Sequence, residues 1–347
     1  MPLSANIVNG VLEDADLSQE NLSGTDFSGI QFRRVRFCQA DLSGANFSQA
    51  DLQGCDFSDA QLNNSNFIGA TLTGCLLDRS NLTEANLSTA TLHTVSLTQA
   101  SLHQANLSAC LLDQCTLNQA TLTQADLSLA RLKSCQLAGT DLTGTNLARF
   151  MALETDLSQA RFCDNPMGSA MLMKANLAGQ RFPGCDLELT LFIEAQLPGA
   201  DFSDCVLDNT QFSQANLTGA SFKNARITNA SLAMADLTGA DLSGAQFELC
   251  DLSLVTLNNA RCLNSQFSIC TMAHIQAKAS IWDQATLKLC DLSQVCLDHA
   301  SFRNAELNLC NLHKAQEDGT LWDGTRFNDT TRTNPARAQA EEWTPPQ

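Results

Sequence analysis

Tyrosine is absent from the 347 residues, and tryptophan and proline occur only 3 and 7 times. An aromatic share of 6% points away from an irregular core of varied side chains and toward one shape used many times. Basic residues are scarce too: 20 Lys and Arg stand against 37 Asp and Glu, a net charge of −17. That balance disfavours a nucleic-acid or anionic-membrane binder and suits solubility or a basic partner. No stretch approaches 18 apolar residues, so an α-helical membrane span is not expected. The opening residues, 1–17, have neither a basic start nor an apolar run, so a standard secretory signal is not expected either. A cytoplasmic address follows, with delivery by a specialised secretion system left open. The 5 histidines are scattered outward-facing residues, which excludes a converging nucleophile–base set. No catalytic, cofactor-binding or metal-ligating residues are expected.

What is present is a five-residue unit. In residues 235–245 it reads as Ala235, Asp236, Leu237, Thr238, Gly239, then again from Ala240. Counting by fives from Leu237 keeps Leu, Phe, Ile, Met or Trp in phase from Ile7 to Phe327, without one insertion. The exceptions are Ala152, Cys262, Ala277 and Glu317. A period of five fits neither a helix nor a simple strand. It fits a chain that turns a corner every five residues, with the central apolar residue and the small residue two places before it facing inward. Glycine clusters two places after the centre, as at Gly24, Gly44, Gly144 and Gly244, where a tight turn requires φ > 0.

The number of corners per coil follows from two other residue types. Cys250, Cys270, Cys290 and Cys310 are spaced by 20, and so are Phe27, Phe47 and Phe67, and Phe162, Phe182, Phe202 and Phe222. Like over like every 20 residues makes four units per coil, a square section. About 16 coils at ~4.8 Å per step give a rod of roughly 77 Å. These A(D/N)LXX repeats resemble the signature of pentapeptide-repeat proteins. The resemblance implies an all-β, right-handed quadrilateral β-helix over 7–327, with 1–6 as a lead-in and 328–347 as a C-terminal tail or cap.

Fifteen cysteines invite a disulfide or zinc reading, but 11 of them take the small inward position, where Cys acts as a small hydrophobe. Side chains stacked at ~4.8 Å lie farther apart than the ~3.8 Å Cβ separation of a disulfide. Cys296 and His299 form the nearest outward Cys–His pair, without further zinc ligands beside them in sequence. Reduced thiols fit a cytosolic home.

Local departures from the repeat mark the candidate sites. Arg33, Arg34 and Arg36 crowd one corner of an acidic chain. They are read either as a docking point for an acidic partner group or as a solvated charged corner, and the second is preferred. His93 and His103 lie two units apart and face opposite ways. Residues 148–183 are irregular: Phe150 and Ala152 exchange sizes, Asn165 and Gln180 point inward, and Pro166 and Pro183 remove ladder donors. Ile275 and Ala277 repeat the size exchange. At the C-terminal end, Asn334 and Pro335 start a short helix over 335–343. Trp343 is expected to fold back on Trp322 and Phe327 and close the last coil. The N-terminal end has no such cover, so self-association through an exposed β-helix end is expected there.

The function these features imply is that of a non-enzymatic, rod-like binding scaffold or adaptor for a protein partner. Members of the resembled family occur beside bacterial secretion machinery or act as delivered effectors. The alternative is an acidic DNA mimic that binds a type II topoisomerase (gyrase) and modulates quinolone sensitivity, as some members do. Acids such as Asp41, Asp51, Asp56, Asp201, Asp241 and Asp251 fit it loosely. The magnitude opposes it: roughly one net charge per 4.5 Å of rod, against one per ~1.7 Å of duplex DNA.

Overall fold

Residues 9–341 are described by the computed structural model; Ile7 and Trp343 lie outside them. The chain is a parallel β-solenoid of about 16 turns, nearly all β, with one short C-terminal helix. It forms two compact units, Met1–Asn176 with Phe182–Asp186, and Leu177–Arg181 with Leu187–Gln347.

In the first unit the three-residue strands are β1 (Val11–Glu13), β2 (Gln31–Arg33), β3 (Asp51–Gln53), β4 (Thr71–Thr73), β5 (Thr91–His93), β6 (Leu111–Asp113), β7 (Arg131–Lys133) and β8 (Met151–Leu153). They pair in parallel, in sequence order. The second unit carries β9 (Arg226–Thr228), β10 (Gln246–Glu248), β11 (Gln266–Ser268), β12 (Thr286–Lys288), β13 (Glu306–Asn308) and β14 (Arg326–Asn328), followed by α1 (Pro335–Glu341). Every strand pair is offset by 20 residues, as in Leu12↔Phe32 and Phe247↔Phe267. The remaining sides of the coil pair through single bridges with the same offset, such as Asp26↔Asn46 and Asp236↔Thr256. The four-unit coil is therefore the register of the fold, and the cysteine column 250–270–290–310 follows from it.

The core is made of the repeated centres and small residues. Rings stack face to face from coil to coil: Phe27 on Phe47 at 5.0 Å, Phe47 on Phe67 at 4.8 Å, Phe192 on Phe212 at 5.1 Å and Trp282 on Phe302 at 5.5 Å between centroids. Phe202 and Phe222 stack at 5.1 Å, whereas Phe162 and Phe182 are tilted by 38° at 5.8 Å. Each buried Leu or Phe contributes roughly 1.5–3 kcal/mol. The exchanged pairs Phe150/Ala152 and Ile275/Ala277 are buried as well. Total volume is conserved in each exchange, which is the kind of core change that packing tolerates.

Candidate functional site

The corner is the element that positions every outward side chain. Two places after every described centre but one the backbone turns through a left-handed residue, and this holds for Gln49 (φ 58), Leu254 (φ 60) and Asn259 (φ 59) as it does for Gly239 (φ 69). Glycine is favoured at this corner rather than obligatory, so its clustering understates how regular the turn is. The Asp or Asn before each centre closes the turn. Asp41 Oδ1 accepts from the Ser43 N–H at 3.1 Å, Asn46 from Ser48 at 3.1 Å, and Asp236 from Thr238 at 2.9 Å. In sequence these residues only mark an outward, solvated position; in the fold their oxygens cap the N–H two residues on, as in an Asx turn. The Ser43 hydroxyl and N–H beside it hold the Asp41 carboxyl below the usual carboxylate range. Ser18, Ser28 and Ser203 do the same for Asp16, Asp26 and Asp201.

Along the coil axis the outward side chains form ladders. Asn46 donates to Asp26 at 2.9 Å, and Asn311 to Asp291 at 2.9 Å. Arg79 grips both oxygens of Asp59 at 2.8 and 2.7 Å. The arginine corner belongs to the same pattern. Arg34 spans both oxygens of Asp14 at 2.8 Å and reaches Glu13 at 2.8 Å. Arg36 lies 3.5 Å from Asp16. Arg33 is exposed and makes no ion pair among the described residues. Two of the three arginines are thus occupied by acids of the preceding coil. His93 and His103 are likewise laddered, to Asp113 at 3.0 Å and Thr123 at 2.8 Å.

The irregular stretch holds one broken corner. Among the described corner residues two places after a centre, Gln159 alone lacks the left-handed conformation. Its carbonyl takes the Gly139 N–H at 3.1 Å, one residue beyond the partner used at Gly144, which bonds to Cys163 at 2.8 Å. Beside it lies a groove of about 230 Å³ lined by Asn118, Cys135, Gln136, Leu137, Ala138, Asp156 and Gln159. Gln159 lies inside the stretch 148–183 that departs from the repeat, but Gln159 itself keeps the pattern, so the sequence points to the stretch and not to this corner. Asp156 is its only carboxylate, and its oxygen caps the Ser158 N–H at 3.0 Å. Buried Asn165 is fully engaged: it donates to the Leu142 and Thr145 carbonyls at 2.6 and 2.9 Å and accepts from the Cys163 N–H at 2.8 Å.

At the C-terminal end of the second unit, Phe302, Trp322 and Phe327 form an aromatic stack, with centroids 4.6 and 5.2 Å apart. Arg332 covers it, 4.7 Å from the Phe327 centroid and 5.5 Å from that of Trp322. It is fixed by Glu317 at 2.7 Å. Glu317, which breaks the centre pattern, is therefore the partner of the covering arginine. The helix α1 is capped by Asn334, whose side-chain oxygen accepts the Arg337 N–H at 3.1 Å. None of its residues is buried. Its tether is polar: Glu341 meets Lys314 at 3.0 Å, Arg337 at 2.8 Å and His313 at 3.2 Å. Those partners, Lys314 first, hold the Glu341 carboxyl down at about 2. An open groove of about 420 Å³ lies among Asn311, His313, Thr331, Arg332, Asn334 and Arg337.

Family profiles match most of the chain. The one described as "Pentapeptide repeat region" covers residues 11–87 and 70–147. "Pentapeptide repeats (8 copies)" covers 170–209, 205–244, 235–272 and 285–316. The chain is a pentapeptide-repeat protein.

Several solved structures resemble this pentapeptide-repeat protein. HetL, involved in heterocyst differentiation regulation in the cyanobacterium Nostoc sp. strain PCC 7120, is 22% identical over 73% of this chain and 85% of its own, with a TM-score of 0.22. A pentapeptide repeat protein of the Arabidopsis thaliana thylakoid lumen is 36% identical over 26% of this chain and 64% of its own, with a TM-score of 0.26. QnrB1, a plasmid-mediated fluoroquinolone resistance protein, is 16% identical over 68% of this chain and 93% of its own, with a TM-score of 0.25. No curated protein matches the sequence.

Two outward assignments in this pentapeptide-repeat protein need correction. Cys296 is buried, because a short side chain in the rung between Gln276 and Gln316 lies below its longer neighbours. His313 is buried too: Glu341 bonds to one ring nitrogen and the Asn334 N–H to the other, so the tail covers it. None of the 15 cysteines is joined in a disulfide. Burial pushes the Cys110 thiol up to about 12 and the Cys185 thiol up to about 11. The described residues contain no group of three or more His, Cys, Asp or Glu placed to hold a metal ion, and no helix long and apolar enough to cross a membrane.

Proposed function

We propose that this protein is a non-enzymatic binding scaffold that carries protein partners on its lateral faces, in a reducing, cytoplasmic setting. The observation that supports this most is the division of labour between the two sides of each coil. Among the described residues, inward positions are filled mostly by stacked hydrocarbon and rings, which supports a packed axis rather than a substrate cavity. Outward positions repeat at fixed intervals, and their carboxylates are spent on turn caps and inter-coil ladders rather than gathered around a reacting atom. Both grooves are open; the first is lined by one thiol and one carboxylate, but Cys135 bonds to the Leu112 and Lys133 carbonyls and Asp156 caps Ser158, so the two are not paired as nucleophile and base. The free thiols support the reducing compartment.

The test is reconstitution. A partner cross-linked to the full-length chain in its native cells is purified and titrated against it. Saturable binding at fixed stoichiometry, with the partner chemically unchanged, is the expected result. Covalent modification of the partner, or no binding by the purified pair, contradicts the proposal.

A further inference from the structure

Four consecutive coils of the second unit place a large aliphatic side chain at one corner. Leu249, Ile269, Leu289 and Leu309 are spaced by 20, and the pairing of β10, β11, β12 and β13 stacks them into a ridge. They are 50%, 49%, 46% and 52% exposed. All four are left-handed, with φ between 54° and 56°. That conformation favours Gly, Asn and Asp and is least suited to a β-branched residue such as Ile269. The coils beyond the ridge have Asn229 and Asp329 at the same corner. Neither core packing nor turn geometry calls for leucine here, and a contiguous exposed apolar ridge marks an interaction surface.

We propose that a second copy of this chain packs on the ridge, antiparallel, about a two-fold axis lying between the coils of Ile269 and Leu289. The flanking residues select that occupant. In an antiparallel pair each flank faces its own counterpart in reverse order. On one flank Glu248 then lies opposite Asn308, and Lys288 opposite Ser268. On the other, Asp251 lies opposite Asn311, and Asp291 opposite Thr271. Every carboxylate meets an amide or a hydroxyl, and apolar meets apolar along the ridge. A parallel pair sets Glu248 against Asp251 twice, which like charges oppose; it also sets Lys288 against Asp291 twice, but only the antiparallel pair leaves no carboxylate facing another. Such reversal symmetry is what an isologous interface uses. The net charge of −17 on each copy opposes close approach, so salt strengthens the association by screening it.

Sedimentation velocity and light scattering on the full-length chain, over a concentration series at low and high salt, test this. The expected result is a dimer whose fraction rises with salt. The double variant I269N/L289N dimerises at least tenfold more weakly yet melts no lower, because Asn209 and Asn229 already occupy equivalent corners. A wild type that stays monomeric throughout, or a double variant that dimerises equally well, overturns the proposal. Asn308→Glu places a carboxylate opposite Glu248 and weakens the dimer, whereas Asn308→Lys strengthens it. Dimerisation indifferent to both changes refutes the antiparallel register.

Discussion

At the scale of the residue, the repeat is a balance between a corner that wants glycine and a surface that wants variety. Gly239 turns at φ +69 with nothing near a notional Cβ, so Gly239→Ala meets only the backbone penalty and lowers stability by about 1 kcal/mol. Leu254, at φ 60 and 49% exposed, is the converse case. Leu254→Asn raises the thermal midpoint, because Asn accepts the left-handed conformation more readily. Thermal melts of the two variants check both directions, and equal midpoints contradict the corner argument. The capping aspartates set the response to acid. Asp16, Asp26, Asp41 and Asp201 have folded pKa values depressed by their serine bonds. Their contribution is present above the unfolded value of about 3.9 and is lost as pH falls through the lower folded values. The midpoint should therefore hold from neutral pH to about 4–5 and fall below that. Replacing these four by Asn, which keeps the cap acceptor, should flatten the fall.

At the scale of the element, what was legible in the sequence is what repeats. Stacking of Cys250 over Cys270 and of Phe27 over Phe47 is spacing converted into register, and nothing outside the coil is needed to read it. What was not legible depends on contacts between distant or non-repeating segments. The slipped corner at Gln159 lies within the irregular stretch 148–183, yet Gln159 itself keeps the repeat, so the stretch is legible and the particular corner is not. His313 looks like any outward residue until the tail lies over it. The part of Arg332 at the end was missed for the same reason: one unit past Phe327, it shields the aromatic stack, while Trp343, the expected cover, lies outside the described residues. Arg332→Ala removes a cation–π contact and an ion pair to Glu317, together worth about 1–2 kcal/mol. Hydrogen exchange should then speed up at the amides of the last coil, such as Leu312, which bonds to the Thr331 carbonyl at 2.7 Å. Unchanged protection there would show that Arg332 covers nothing that matters.

At the scale of the whole molecule, charge and surface regularity decide between binding readings. A net charge of −17 over about 16 turns is near one per coil. Duplex DNA carries about three charges in the ~4.8 Å rise of one coil. Ladders to Arg34, Arg79, Lys223 and Arg226 neutralise acids locally as well. The chain should therefore neither inhibit gyrase supercoiling potently nor protect the enzyme from a quinolone, and a supercoiling assay showing either would restore the DNA-mimic reading. A scaffold that works through its faces has a further signature. Side chains on one face recur every 20 residues, so a partner lying along a face touches positions that differ by multiples of 20 within a unit. Cross-linking mass spectrometry of the full-length chain bound to its partner reads this directly. The scaffold account predicts a footprint with that spacing across several coils; a footprint confined to the Gln159 groove, or to the last coil alone, would contradict it.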